Sequence, residues 1–376
     1  EFEMEEFAGF VEHFAVLPDP RVERGKKHLL VDVLFIGLAT VLSGGESFTD
    51  MVDFGEIREE WLRKYLALPH GIPSEDTFQR VFAAIDPKAF IDCMIRWTEA
   101  IQEVTHGQVI ALDGKTIRHS FDTWTGKSAV HIVSAWCTEL GLALGHEVVE
   151  EKSNEIPAIL ALLEKLSVKG RTITIDAIGC QKEIVEKIVE KGGNYLLCVK
   201  GNQPSLQEDI RDFFADCGDF SEVEHSYYET LEKGHGRIEK RRYWVVDGET
   251  SWLGIDKKWK NARSMMMVEA TRTIRDKTSS ETRYYISDLP GEAEKMALIA
   301  RSHWGIENGL HWVLDVIMNE DRSRARKDNA AANLATMRRV AINMAKRVKG
   351  KSSIRRTFNK AGWNTSFLER ILTGPD

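Results

Sequence analysis

A mixed α/β fold, one sheet with helices on its faces, is the class this chain predicts, and three observations carry it. First, three β-rich runs, 108–112, 129–137 and 142–149, follow one another without an intervening helix, which suits antiparallel neighbours. Second, helical and β patterns then alternate: a helix from Ile156 to Leu166, a strand at 171–175, a helix at 181–191, a strand at 194–199 and a helix at 204–214. Third, the first and fourth strands each run into an aspartate, Asp113 and Asp176. Three strands followed by helix–strand–helix–strand–helix is the order of a ribonuclease H-like fold. In that order the first and fourth strands are neighbours, so the two aspartates are expected side by side.

The flanking segments differ in character. Residues 1–105 read as a helical N-terminal domain, with helical spacing at Phe7, Phe10, Val11 and Phe14 and again at Ile57, Trp61, Leu62 and Tyr65. Within it, Leu29 to Leu42 is apolar but too short to cross a bilayer and reads as a buried helix. Gly71 to Phe82 reads as a turn, a Ser74 cap and an amphipathic helix. Such a helix pair can enter a DNA groove or simply pack. The core then divides into a first part, 106–218, and a β-rich insertion, 219–292, built from runs such as Arg241–Val246, Ser264–Ala270 and Thr282–Ser287. Residues 293–376 return to helix and carry a basic C-terminal region.

Composition excludes several classes. With 43% hydrophobic and 29% charged residues over 376 positions, the chain is globular rather than disordered and long enough for more than one domain. Its five cysteines are scattered with no Cys-x-x-Cys pair, which argues against a zinc ribbon or a disulfide framework and suits a reducing cytoplasm. No secretory signal or membrane span is visible. A cytoplasmic, nucleoid-associated protein is expected.

Asp113 closes the run Val109-Ile110-Ala111-Leu112, and Asp176 closes Thr172-Ile173-Thr174-Ile175. Glu307 lies in the helical stretch Arg301–Trp312. An aspartate after a strand often serves only as a turn former or helix cap. Three carboxylates from two strand ends and a helix, however, suit hard cations that prefer oxygen ligands, Mg²⁺ above all, with Mn²⁺ able to substitute. Paired ions of this kind hold the attacking and leaving oxygens of a phosphodiester in line. On the helix, His303, Glu307, His311 and Asp315 fall at i+4 steps, with Trp304, Asn308 and Trp312 alongside. A transition-metal site built from the two histidines and Glu307 leaves the strand-end aspartates unexplained. The better assignment keeps Glu307 as ligand and gives His303 and His311 hydrogen bonds to DNA or to the ligands.

The net charge of −7 hides an asymmetry. From Arg322 to Lys360 there are thirteen Lys or Arg and one acid, Asp328. A solvated helix face is the plainer explanation, but such a segment in an acidic chain is also the footprint of a polyanion partner. Arg322, Arg324, Arg326 and Lys327 are candidate phosphate contacts. Lys115, Arg118, Lys200, Asn202, Gln203, His235, Arg237, His303, Trp304, Asn308 and His311 are further candidate DNA contacts. Trp252 or Trp259 could stack on an unpaired base.

Several stretches together resemble a known family: Ala111-Leu-Asp-Gly-Lys-Thr-Ile-Arg-His-Ser120, Glu151-Lys-Ser-Asn-Glu155, Asp176-Ala-Ile-Gly-Cys-Gln-Lys182, Val199-Lys-Gly-Asn-Gln203, His235-Gly-Arg-Ile-Glu239, and His303 to Asp315 followed by Asn319-Glu-Asp321. The chain resembles, almost end to end, the H-repeat-associated insertion-sequence transposases of the DDE class. The resemblance implies that Asp113, Asp176 and Glu307 are the catalytic, metal-binding triad. It implies a helical N-terminal domain and a β-rich insertion before the last acid. It also implies Mg²⁺-dependent cleavage and strand transfer on double-stranded DNA, namely the inverted-repeat ends and the target, by a homodimer in a synaptic complex. Two alternatives stand beside it: a domesticated DNA-binding protein without catalysis, and a Mg²⁺ nuclease without strand transfer.

Overall fold

The computed structural model describes residues 8–22, 26–102, 107–149, 154–218, 220–234, 236–248, 250–251, 253–275 and 277–374. The chain forms two compact units. The first comprises Glu1–Glu103, Gly114–Ser153 and Glu307–Asp376; the second comprises Val104–Asp113 and Asn154–Ile306. Each unit therefore draws on several of the sequence segments.

The first unit opens with helices α1 (Ala8–Phe14), α2 (Leu30–Leu42), α3 (Phe48–Ile57), α4 (Glu59–Leu62), α5 (Glu75–Ala84) and α6 (Pro87–Ile101). Local chemistry sets their ends. Ser47 and Asp50 form a reciprocal capping box on α3, and Asp86 caps α6 ahead of Pro87 at its first turn. The apolar 29–42 stretch is the buried helix α2, whose residues Asp32 to Leu42 are all buried. Burial raises the Asp32 carboxyl above its ordinary value, although the Leu68 amide donates to it at 3.3 Å.

The end of β1 (Val109–Thr116) and the hairpin of β2 (His131–Cys137) and β3 (Leu142–Val148) belong to this unit in the order β3-β2-β1. β2 and β3 pair antiparallel.

The second unit carries the first half of β1 with α7 (Glu155–Lys165), β4 (Thr172–Ile175), α8 (Lys182–Glu190), β5 (Asn194–Val199) and α9 (Pro204–Asp216). There follow β6 (Ser226–Gly234), β7 (Arg237–Asp247), the short α10 (Ile255–Lys258), β8 (Ser264–Ile274), β9 (Lys277–Ser287) and α11 (Ala293–Ser302). Its strand order is β1-β4-β5-β9-β8-β7-β6. β4 lies parallel to β1 and to β5. The orders 3-2-1 and 1-4-5 are those of a ribonuclease H-like, mixed α/β sheet.

Two details go beyond expectation. β1 does not stop at Leu112; it continues through Asp113 to Thr116, because its other edge keeps pairing toward β2, as the Ile117 amide bond to the Val130 carbonyl shows. And the expected β-rich insertion, whose pairing the sequence left open, joins the core sheet. β9 pairs antiparallel with β5, from Leu196 opposite Ser287 to Val199 opposite Tyr284, so the segment extends the core sheet. An unpaired β5 edge would expose a row of backbone donors and acceptors, and β9 satisfies them. Its inner face packs Tyr243, Val245, Met266 and Val268 against Ala293, Met296 and Ala297 of α11.

Back in the first unit, α12 (Ala330–Val348), α13 (Ile354–Trp363) and α14 (Thr365–Thr373) complete the fold. α12 is buried from Ala330 to Ala345 and packs on α2, α5, α6 and β3. This corrects the expectation for part of the basic segment 322–360: residues 330–345, with Arg338 and Arg339, are buried in the protein and cannot serve as a DNA-facing track. Arg338 and Arg339 are 3% and 0% exposed, and both face Glu320, itself 0% exposed, at 3.8 and 3.4 Å. The small residues of Ala330-Ala-Ala-Asn-Leu-Ala335 let neighbouring elements approach, and the arginines are carried inside on a compensating carboxylate.

Burial works against the charged form of Glu320, yet Arg339, Lys115 and Arg338 together hold its carboxyl below the usual range. A depressed folded value means that the contribution is complete above the unfolded value of 4.5 and is lost as pH falls through the lower folded value. Glu320→Gln is expected to cost about 3–5 kcal/mol at neutral pH, because it leaves buried cations unpaired. Denaturant melts across pH should show the variant's acid limb flatter than the parent's; equal stability at pH 7 would remove Glu320 from this role.

Candidate active site

The register of two parallel strands builds the site in the second unit. Leu112 of β1 lies opposite Ile175 of β4, so the next residues, Asp113 and Asp176, stand side by side at the carboxyl end of the pair. Ligand sites of open α/β sheets collect at such ends. Asp113 is half-buried. Asp176 also caps a short 3₁₀ turn, Ala177–Gly179, accepting from the Ile178 amide at 3.1 Å. The capping role that any strand-end aspartate can play is thus present. Surface area leaves part of Asp176 open to solvent, but the atoms packed around it are dense enough that desolvation raises its carboxyl above the ordinary value. Glu155 adds to that rise, while the Ile178 amide and Lys200 oppose it.

Residues after β5 support this turn. The Asn202 side-chain amide donates to the Ala177 carbonyl at 2.6 Å, and Gln203 donates to the Cys180 carbonyl at 2.9 Å. Both were expected at DNA, but their amide donors are turned onto the Asp176 loop. Lys200 stays exposed.

Also in the second unit, His303 follows the end of α11, and its Nδ1 lies 3.1 Å from the Thr174 hydroxyl, two residues before Asp176 on β4. Burial pushes the imidazole down to about 4, so it is neutral at pH 7 and serves a protein contact rather than a phosphate. Thr174 was not singled out from the sequence; its place two residues before Asp176, on the same strand face, was the available signal. Trp304 is partly exposed, with the Arg283 guanidinium 5.6 Å from its ring centre.

Glu307 opens the last segment of the first unit and is exposed. The stretch is not the plain α-helix expected: Glu307–His311 and Val313–Ile317 are π-helical. The i+4 row from His303 to Asp315 is therefore loosened, since π turns close at i+5. Gly309 rests on Trp136 of β2, where an added Cβ would come within 2.5 Å of the ring. Asn308 is exposed and His311 half-buried.

Lys115 was expected at DNA. It is instead 8% exposed and sits among Asp315 (2.8 Å), Asp321 (3.1 Å) and Glu320 (3.2 Å). Burial opposes its charge, but these carboxylates hold it above the usual lysine range. A lysine beside Gly114 looks like a solvent-facing turn residue; its partners lie some 200 positions on. Arg118 is 80% exposed and bonded to Asp321 at 3.2 Å. Arg322, Arg324 and Lys327 are exposed, and Arg326 is half-buried. In the second unit Arg237 is exposed beside Glu239, and Trp259 is buried in the core, which removes it as a stacking residue. His235 and Trp252 lie outside the described residues.

Among the described residues, no three His, Cys, Asp or Glu side chains are grouped to hold a metal ion. The donor chemistry at Asp113 and Asp176 nevertheless fits Mg²⁺. Both are carboxylates at adjoining strand ends, oxygen donors of the kind that cation prefers.

A ribonuclease H-like sheet with adjacent aspartates on its first and fourth strands defines a class of polynucleotide-processing enzymes. The transposase DDE domain matches residues 105–344, and the DDE_Tnp_1-associated domain matches 11–98. The H repeat-associated "putative transposase YhhI" of Escherichia coli K12 is 39% identical over 374 residues, covering 98% of this chain and 99% of that one. "Putative transposase YncI" of Escherichia coli O157:H7 is 40% identical over 366 residues, covering 96% and 94%. A piggyBac transposase synaptic complex with hairpin DNA aligns with 99% of this chain and 79% of its own at 12% identity and a TM-score of 0.44, a likeness too slight to argue from. The chain belongs to the H repeat-associated transposases of the DDE transposase family.

The His303 bond gives a test of this geometry. Its folded value lies below the ordinary 6.5, so stability is complete above 6.5 and falls away as pH drops toward about 4. The loss reaches up to about 3 kcal/mol. His303→Asn should flatten stability between those limits in pH-dependent unfolding, whereas an unchanged slope would place the titration elsewhere.

Proposed function

We propose that this transposase binds the ends of its insertion sequence and catalyses Mg²⁺-dependent strand cleavage and strand transfer, with Asp113, Asp176 and Glu307 as its catalytic carboxylates. The observation that carries the proposal is the β1–β4 register that puts Asp113 beside Asp176. Glu307 joins them by family resemblance.

Asp113 and Asp176 would hold the metal, with Glu307 as the third ligand. Bound there, Mg²⁺ supplies positive charge to the phosphodiester oxygens and acidity to an attacking water or hydroxyl. The protein's own work is positioning. Asn202 and Gln203 hold the Asp176 turn by its carbonyls. Neutral His303 bonds the Thr174 hydroxyl on β4 without adding charge. Lys200, exposed after β5, offers a cation to a phosphate near the paired aspartates. Arg118, Arg322, Arg324 and Lys327 offer others. Binding two ends at once is the work of a homodimer in this reading.

Asp113→Asn or Glu307→Gln, incubated with end DNA and Mg²⁺, should lower cleavage by roughly 10²–10³-fold or more, as loss of a charge-stabilising group does. End binding in gel shifts should persist. Binding lost together with cleavage, in a folded variant, would argue against a purely metal-ligating role. Full cleavage with no joined products would select the nuclease alternative.

Neutralising Arg322, Arg324 and Lys327 together should weaken binding to every sequence alike. It should also reduce the slope of log affinity against log salt by about 0.9 per lost phosphate contact. An unchanged slope with altered sequence preference would reassign these residues to base reading.

A further inference from the structure

Trp124 is 97% exposed. Tryptophan is among the residues most buried on average, so this exposure on an ordered loop needs a reason. The loop leaves β1 four residues after Asp113 and belongs, with everything it touches, to the first unit. Its base is closed by Ser120, whose hydroxyl donates to the Ile117 carbonyl at 2.7 Å and accepts from the Val130 amide at 2.7 Å. Nearer the tip, Asp122 and Lys127 exchange two backbone bonds of 2.9 Å. The Trp124 amide donates to the Asp122 carboxylate at 3.0 Å, and Gly126 takes the left-handed conformation, φ +72°, that lets the chain turn back.

The loop is also stapled along its flank to the basic segment after the π-helical stretch. Lys127 donates to the carbonyls of Arg326 (3.1 Å) and Asp328. Arg326 donates to the His119 carbonyl at 3.1 Å and stacks 5.3 Å over Phe121. The His119 ring meets the Asp321 carbonyl, and the Arg118 amide donates to the Asp321 carboxylate at 3.2 Å. A rigid polar mount thus holds one large aromatic ring outward. The surrounding charge is positive: residues 118–128 and 321–328 carry six Lys or Arg against three Asp. With only Phe121, among the described residues of the loop, as a further exposed apolar ring, and with a positive rim around it, the site suits a nucleic acid, which offers anionic backbone for the rim and π-faces for the ring.

We propose that Trp124 is a DNA-stacking residue. It inserts beside an unpaired or unstacked base while Arg118, Arg322, Arg324 and Lys327 hold the flanking phosphates. The inference rests on the DNA-handling function proposed above and adds to it a site that recognises distorted rather than regular duplex.

The test uses the full chain in EDTA with two short DNA duplexes of the same arbitrary sequence, one fully paired and one with a bulged 2-aminopurine. The wild type should bind the bulged duplex about tenfold more tightly and quench its fluorescence, in line with the worth of a stacked base. Trp124→Ala should lose the preference and the quench while keeping its melting temperature, and Trp124→Phe should retain part of both. Arg324→Gln should weaken both duplexes equally and leave the preference intact. A Trp124→Ala protein with full preference and quench overturns the proposal, as does a wild type that binds both duplexes alike. A wild type that binds neither duplex overturns the DNA-handling function as well.

Discussion

Glu320 is the carboxylate on which the first unit turns. It is sealed from solvent and answers three cations that come from different parts of the chain: Lys115 on β1, and Arg338 and Arg339 on α12. Arg339 reaches on to the Ser134 hydroxyl of β2 at 3.2 Å. One buried anion thereby ties a strand end, a hairpin and the central helix to the 3₁₀ turn Glu320–Arg322. Desolvating so many charges is costly, and the arrangement is tolerable only because each is met by an opposite charge at short range. What such a network provides is uniqueness of position: a cation one turn away on α12 would find no partner. Lys115 ties the last residues of β1 into this network.

The second unit solves a different problem. Its parallel strands β1, β4 and β5 bring loops to one end, and the sheet must not finish on an open edge there. Four further antiparallel strands continue it through β9. The segment that reads in sequence as an interruption before the last acid is, in space, what covers β5.

The order of strands and helices was legible because each element keeps its own period: alternating or continuous apolar runs in β4 and β5, amphipathic spacing in α7 and α8. Asp113 and Asp176 were legible because each ends an apolar run that can only be a strand. What escaped was whatever depends on distant partners. Lys115 and the pair Arg338-Arg339 look like surface charge until Glu320 is placed among them. Asn202 and Gln203 look like donors for a ligand until the Asp176 turn takes their hydrogens. The π turns around Glu307 leave no local signal; Gly309 marks the place, but only its closeness to Trp136 explains the glycine. Trp259 has no pattern to tell a core ring from a stacking one, whereas Trp124, amid Thr123, Thr125 and Gly126, sits in a stretch with no apolar period to bury it.

The division of the chain between the two units has a consequence for synthesis on the ribosome. All of the second unit has been translated once residue 306 is made, and its sheet can close on itself at that moment. The first unit is spread over both ends of the polypeptide, and its central helix, α12, begins at Ala330. At translation rates of about 5–20 residues per second, the 42 residues from 307 to the end of α12 at Val348 take roughly 2–8 s. Throughout that interval the apolar α2, already made, has no complete α12 to lie against. The nascent chain thus carries a finished half and an unfinished half together, and chaperones have a defined target in the unfinished one. A message cut short before the codon for Arg338 yields N-terminal helices that still have one another and β3 but lack the second half of α12 to pack on.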